Sequence, residues 1–200
     1  MATPFDRLME TVRPYLPGAI DTAMKQELFA VCEEFFTDSN TWQENVPFTI
    51  VQGSDTAELM PYTGKIERLN WVTDQNGFSV NRCTITDIYN GIIRAPQANP
   101  GTYNAQLIMN VNDPISRDVF PIVPVGIVDR YWQTLMHGLI SHMMVMPNKP
   151  YTSVQMAAVY NSKFMGGIAR ARNEANEMFT QNSQAWRFPQ TFNRSKNSRR

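Results

Sequence analysis

The chain has 200 residues, 42% of them hydrophobic, enough to fill one core or one core carrying an inserted subdomain. Its 18 Lys and Arg balance 18 Asp and Glu, so the net charge is zero, but the last 21 residues, Thr180 to Arg200, hold five of the basic groups and no acid, leaving 13 basic against 18 acidic residues over 1–179. An acidic body with a +5 arm excludes a uniformly basic nucleic-acid binder and points to a partner that the arm itself contacts.

Other classes fall away quickly. Cys32 and Cys83 are too few for a disulfide framework, and Cys32 sits within a helical pattern, so both are expected reduced, as in a cytosol. Met1 to Arg7 shows no basic stretch followed by an apolar run, and no segment approaches eighteen uncharged apolar residues, so neither secretion nor membrane insertion is expected. Met136, Met143, Met144 and Met146 cluster among twelve methionines, as core filling or as adaptable packing against another subunit.

In chain order, a Pro-bounded segment (Arg13-Pro14-Tyr15-Leu16-Pro17-Gly18) precedes apolar residues at Ile20, Met24, Leu28, Val31 and Phe35, one helical stripe. Thr37-Asp38-Ser39-Asn40 stops it, because these side chains compete for backbone hydrogen bonds. Strand-like segments follow at 46–51, 57–62 and 66–73, the last closed by the turn signal Asp74-Gln75-Asn76-Gly77. Residues 78–93 alternate loosely, 96–101 form a loop, and 105–111 read as a further strand closed by Asn112-Asp113-Pro114. The helical period returns with Ile127, Tyr131, Leu135, Leu139 and Met143 until Met146-Pro147 breaks it. A final helix opens at Thr152-Ser153-Val154-Gln155, read as a capping box between Thr152 and Gln155, and carries Ala157, Tyr160, Phe164, Ile168, Ala171, Ala175 and Met178 along one seam. Gly166-Gly167 in its middle costs roughly 1 kcal/mol per glycine relative to alanine, so a close helix crossing is expected there.

The order predicts an α+β fold: a helical bundle from the N- and C-terminal helices, an inserted antiparallel β-sheet or small sandwich, and an extended C-terminal tail. The divisions are 1–45 (helical), 46–122 (β insert), 123–179 (helical) and 180–200 (tail). Tyr160, Phe164, Gly166, Gly167, Ile168 and Ala171 are the candidate residues for helix or subunit packing.

No constellation of chemistry stands out. His137 and His142 lie five apart on a helix, about 140° around its axis, and neither a Cys-x-x-Cys nor an Asp-rich loop occurs, so no metal site is expected. His137 reads as a satisfied core or interface imidazole. No Gly-x-Ser-x-Gly elbow and no Gly-Lys-Ser/Thr appears, and Glu33-Glu34 reads as a solvated helix face. Neither an enzyme nor a cofactor is expected. In the tail, Arg187, Arg194, Lys196, Arg199 and Arg200 could meet phosphates while Trp186, Phe188 and Phe192 stack on bases, but the acidic body favours a protein-docking arm over DNA binding.

The succession of landmarks resembles the head-to-tail adaptor (connector) proteins of short-tailed, podovirus-type phages, also called tail tubular proteins A. The likeness covers most of Leu16 to Arg172: Leu16-Pro17-Gly18-Ala19 opening a helix that ends in Glu34-Phe35-Phe36, then Trp42, Pro121-Ile122-Val123-Pro124, Tyr131 and Gly138, Asn148-Lys149-Pro150-Tyr151, Tyr160-Asn161-Ser162-Lys163-Phe164, and Gly167-Ile168-Ala169-Arg170-Ala171-Arg172. Tyr151, where tryptophan is more usual, and Phe36, where cysteine is frequent, depart from the pattern and keep a packing role. The resemblance implies a structural virion protein assembled in the host cytoplasm into a twelvefold ring at the neck, between the portal and the tail tube or nozzle, with genome DNA passing through its channel without sequence-specific binding. It also implies a helical bundle bearing a β domain and a C-terminal extension reaching the portal, which assigns Trp186, Arg187, Phe188, Phe192, Arg194, Lys196, Arg199 and Arg200 to docking; the surplus acids of the body would suit a DNA channel. Alternatives left open are a nucleic-acid-binding protein using its basic tail, and a tail-completion or head-closure protein binding the tube. The turn-rich loops at Asn76-Gly77 and 96–101 are candidates for contact with the next tail component.

Overall fold

A computed structural model describes residues 3–179 apart from 97, 115, 117 and 118. The fold is α+β, four α-helices with two small antiparallel sheets. Helix α1 spans Pro4–Val12 and leads through a 3-10 turn, Arg13–Tyr15, to α2, Asp21–Ser39. Six strands follow: β1 (Gln43–Ile50), β2 (Thr56–Glu58), β3 (Lys65–Asp74), β4 (Thr84–Asp87), β5 (Ile92–Arg94) and β6 (Gly101–Asn110). Helices α3 (Val125–Val145) and α4 (Val154–Phe179) close the described chain.

Helix α1 was not anticipated from the sequence, being only nine residues long with its apolar side chains Phe5, Leu8, Met9 and Val12 spread over little more than two turns. Its start is nevertheless well specified. The Thr3 hydroxyl accepts from the Asp6 amide at 3.2 Å and the Asp6 carboxylate accepts from the Thr3 amide at 2.6 Å, a reciprocal cap. Donation from the Thr3 amide and, at 2.8 Å, from the Thr3 hydroxyl holds the Asp6 carboxyl below the usual range. Phe5 stacks on Phe120, with ring centres 5.7 Å apart, and so draws the connector after the sheets back onto the bundle.

Helix α2 ends where its polar run predicts. Asn40 takes the left-handed conformation (φ 56°) that an asparagine tolerates, and its amide closes the last turn on the Phe36 carbonyl. Trp42 then packs edge-on against Phe36 at 5.3 Å and is buried, anchoring the first strand to the bundle.

The larger sheet has the order β1-β6-β3 and the smaller one β2-β5-β4, every pairing antiparallel. Pro47 in β1 lacks an amide proton and is accommodated because β1 is an edge strand. The central strand β6 is buried from Ala105 to Asn110. Several strand bounds differ from expectation. In place of 57–62 the strand is Thr56–Glu58, and 78–93 is not continuous but broken into β4 and β5, the latter running on to Arg94. Asp87 makes the break: its carboxylate accepts from the amides of Tyr89 and Asn90, both at 3.0 Å, and from the Asn90 side chain at 2.7 Å. Gly91 follows with φ 64°, where a β-carbon would collide with the Leu59 carbonyl.

Helix α3 packs against both α2 and α4, which also touch each other, and its buried side chains Leu135, Leu139, Ile140 and Met143 fill the bundle. Tyr131 departs from helical geometry (φ −112°, ψ 18°) and kinks α3. Sheet and bundle share one continuous apolar cluster from Val12 and Leu28 through Trp42 and Leu107 to Phe164, so the β insert has no core wholly its own. Asn110, fully buried, fastens the two parts. Its amide nitrogen lies 2.8 Å from the Thr37 hydroxyl and 3.0 Å from the Glu67 carboxylate, while its oxygen accepts from the Val111 amide at 2.8 Å.

The start of α4 corrects the expected capping box by one residue. Ser153, not Thr152, caps the helix, its hydroxyl accepting from the Met156 amide at 3.4 Å. Thr152 is occupied elsewhere: its hydroxyl donates to the Met146 carbonyl and accepts from the Lys149 amide, closing the interhelical loop.

Candidate functional site

The docking residues named from the sequence, Trp186, Arg187, Phe188, Phe192, Arg194, Lys196, Arg199 and Arg200, lie outside the described residues. What the structure describes is the base from which that arm departs. Near its end α4 is tied on two sides. Glu174 accepts from the Tyr131 hydroxyl at 2.8 Å and pairs with Arg130 at 3.0 Å, at the kink of α3. Burial, then the Glu174 carboxylate, pushes the Tyr131 phenol up to about 12, so it stays a donor throughout the neutral range. Arg172 reaches Asp38 at the end of α2, donating to its carbonyl and carboxylate. The last turns of α4 are thereby held beside the junction of bundle and β insert.

The packing residues divide. Tyr160, Phe164, Ile168 and Ala171 are buried on the inward face of α4. Gly167 belongs with them, because a β-carbon there would collide with the Thr134 side chain of α3. Gly166 does not. It is exposed and faces open space, so the close crossing needs one glycine of the pair and not both. A second close approach lies at Gly138 of α3, where a β-carbon would meet Val31 at 2.7 Å and the Phe164 ring at 2.9 Å.

Outward, α4 shows an extensive surface of low charge: Val154, Ala158, Val159, Ser162, Met165, Gly166 and Ala169 are all exposed. Another apolar surface sits at the tip of the β insert. Tyr89 is 97% exposed and Met60 71%, and they rim a groove of about 770 Å³ that also includes Glu58, Glu67 and Asp113, while the nearby Tyr62 is 83% exposed. The Asn76-Gly77 turn is built by Asp74, whose carboxylate accepts from the amides of Asn76 and Phe78, and it leaves Phe78 exposed.

The histidines are not alike. His137 lies near Tyr160, and burial followed by the Lys163 charge lowers its pKa. His142 faces two carboxylates of α2, Glu27 at 3.4 Å and Glu34 at 3.3 Å. Glu34 is therefore more than a solvated face, a pairing across helices that spacing within α2 could not reveal. Glu33 on the next position turns the other way and pairs with Lys65 of β3 at 2.7 Å. Among the described residues no group of three or more His, Cys, Asp or Glu is placed to hold a metal ion, and no helix is long and apolar enough to cross a membrane.

These features define an α+β chain with a three-helix seam, a β insert presenting exposed apolar groups, and an arm of opposite charge rooted on its longest helix. No protein-family model matches it, and no curated protein does so either.

Proposed function

We propose that this chain is a structural protein of a phage virion, a head-to-tail adaptor that forms a ring between the portal and the tail tube or nozzle and contributes to the DNA channel. The observation that carries the reading is the division of charge along the molecule. An acidic body ends in a 26-residue helix that leads straight into a 21-residue arm with five basic and three aromatic residues. Extended, such an arm spans roughly 70 Å, ample to leave its own subunit and engage a neighbouring ring. The aromatics Trp186, Phe188 and Phe192 anchor it in grooves of the portal, and the arginines and Lys196 orient it. Twelve arms acting together need bind only modestly each, because attachment of the first raises the local concentration of the rest.

The low-charge outer face of α4 gives neighbouring subunits a surface on which to pack, and the exposed apolar tip of the β insert suits contact with the next tail component. Surplus acids on the body suit a channel through which duplex DNA slides instead of sticking. The deciding experiment is binding of the full chain, and of a chain ending at Phe179, to the portal protein of the same virus. The full chain is expected to form a stable portal complex and the truncated one to lose it. Equal binding by both would remove the docking role from the arm.

A second reading rests on the same arm. Its alternation of basic and aromatic residues also suits nucleic acid, with phosphates neutralised and bases stacked. The acidic body argues against tight DNA binding at physiological salt, so protein docking is the preferred function.

A further inference from the structure

His142 sits on the α3 face toward α2, and α2 presents Glu27 and Glu34 two turns apart along that same face. The imidazole bridges them, with Nδ1 3.4 Å from one Glu27 oxygen and Nε2 3.3 Å from one Glu34 oxygen. A neutral imidazole carries one N–H and one bare lone pair, so with carboxylates at both nitrogens one contact would set a lone pair against an anion. Only the imidazolium donates at both ends. The ring is about three-quarters shielded from solvent, which strengthens its interaction with charges relative to an exposed pair.

Among the described residues, those of α3 and α4 that line the adjoining cleft carry no charge besides His142. From α4 the adjoining cleft is lined by Val154, Ala157, Ala158 and Asn161, and the Phe164 ring meets His142 edge-on at 6.5 Å. From α3 the cleft adds Ser141, whose hydroxyl is spent on the Ala157 carbonyl, and Val145. The Tyr151 phenol also lies near Glu27, and burial and the Glu27 charge keep it neutral.

We propose that His142 is a pH-sensitive clamp that, as the imidazolium, holds α2 to α3 by neutralising Glu27 and Glu34, and that releases this seam when it loses its proton. Glu27, then Glu34, outweighs burial and raises the pKa of His142 above the ordinary imidazole value of 6.5. The sign follows: the clamp's stabilisation is fully present below pH 6.5 and is lost as pH rises through the higher folded value. On release the two carboxylates of α2 are left without the cation that neutralised them, and the seam beside the α3–α4 cleft loosens. His137 provides an internal contrast, since its pKa moves in the opposite direction.

The test uses the full chain. Titration of both imidazoles by NMR should place the midpoint of His142 above 6.5 and that of His137 below it. Glu27→Gln and Glu34→Gln should each shift the His142 midpoint downward, and the double variant further than either. Amide exchange in α2 and α3 around positions 27–34 and 138–142 should quicken between pH 6.5 and 9, after correction for intrinsic rates, and His142→Gln should abolish that dependence. Should a glutamine at 142 prevent folding, the Glu27→Gln and Glu34→Gln midpoints still decide. A His142 midpoint at or below 6.5, or pH-dependent exchange that persists in His142→Gln, would overturn the proposal.

Discussion

Gly138 of α3 lies so close to Phe164 of α4 that a β-carbon on the glycine would come within 2.9 Å of the aromatic ring, with Val31 of α2 closing the other side at 2.7 Å. Three helices converge on a point that has room for a hydrogen atom. Phe164 is fully buried and cannot swing outward, so the conflict has to be absorbed by the backbone.

Gly138→Ala is therefore expected to destabilise the fold by about 1–3 kcal/mol through overpacking, and Gly167→Ala, which meets Thr134, to do likewise. Gly166→Ala, on open surface one residue away, should instead stabilise by up to about 1 kcal/mol, since helix propensity is all that changes. Urea denaturation of the three variants checks the order; a loss for Gly166→Ala equal to that for Gly167→Ala would contradict the assignment of faces.

Asn110 should be intolerant of truncation. Asn110→Ala removes the bridge among Thr37, Glu67 and the Val111 amide, leaving the buried Val111 amide unpaired at a cost of about 1–3 kcal/mol. Thermal melting should show one transition at lower temperature. Two separated transitions would mean that bundle and β insert fold independently, against the continuous core.

The two cysteines should differ sharply in reactivity. Cys32 is fully buried and its thiol is pushed far above the usual range, whereas Cys83 is partly accessible and only raised by burial. A thiol reagent applied to the native chain should modify Cys83 first and reach Cys32 only after denaturant is added. Equal rates for both would mean that the face of α2 holding Cys32 opens readily.

If the arm docks on a portal, alanine at Trp186, Phe188 and Phe192 is expected to abolish portal binding in pull-down while leaving the melting temperature unchanged; among the described residues the buried core spans 5–175. Neutralising Arg194, Lys196, Arg199 and Arg200 should weaken binding less and make it less dependent on salt.

The DNA reading makes an opposite forecast that a salt titration separates. If the arm serves protein docking, affinity for duplex or single-stranded DNA should be negligible at physiological salt and the same for the chain ending at Phe179. A strong affinity that falls steeply with salt and disappears on truncation would transfer the arm's function to nucleic acid.

Much of this molecule was written locally. The apolar stripes from Met24 to Phe35 and from Ala157 to Ala175 specify helices because residues three and four apart share a face whatever the rest of the chain does. The polar stop at Thr37 to Asn40 and the turn at Asp74 to Gly77 act through side chains bonding to their own backbone, which needs no distant partner either. The order of helices and strands was enough for the α+β class. Short elements were least legible because they carry too few repeats of any period: α1 escaped, and β2 and β5 showed only as parts of the longer segments 57–62 and 78–93.

Tertiary structure alone decided between chemically equal neighbours. Gly166 and Gly167 are identical in sequence terms, and only the position of Thr134 makes one a packing requirement and the other an ordinary surface residue. Glu33 and Glu34 likewise diverge, one to Lys65 in the sheet and one to His142 in the bundle, because successive residues on a helix point about 100° apart and different elements happen to stand on either side. Sequence sets which faces are apolar and which carry charge; which charged group finds an opposite across a seam depends on helix crossings fixed by the packing of the whole core.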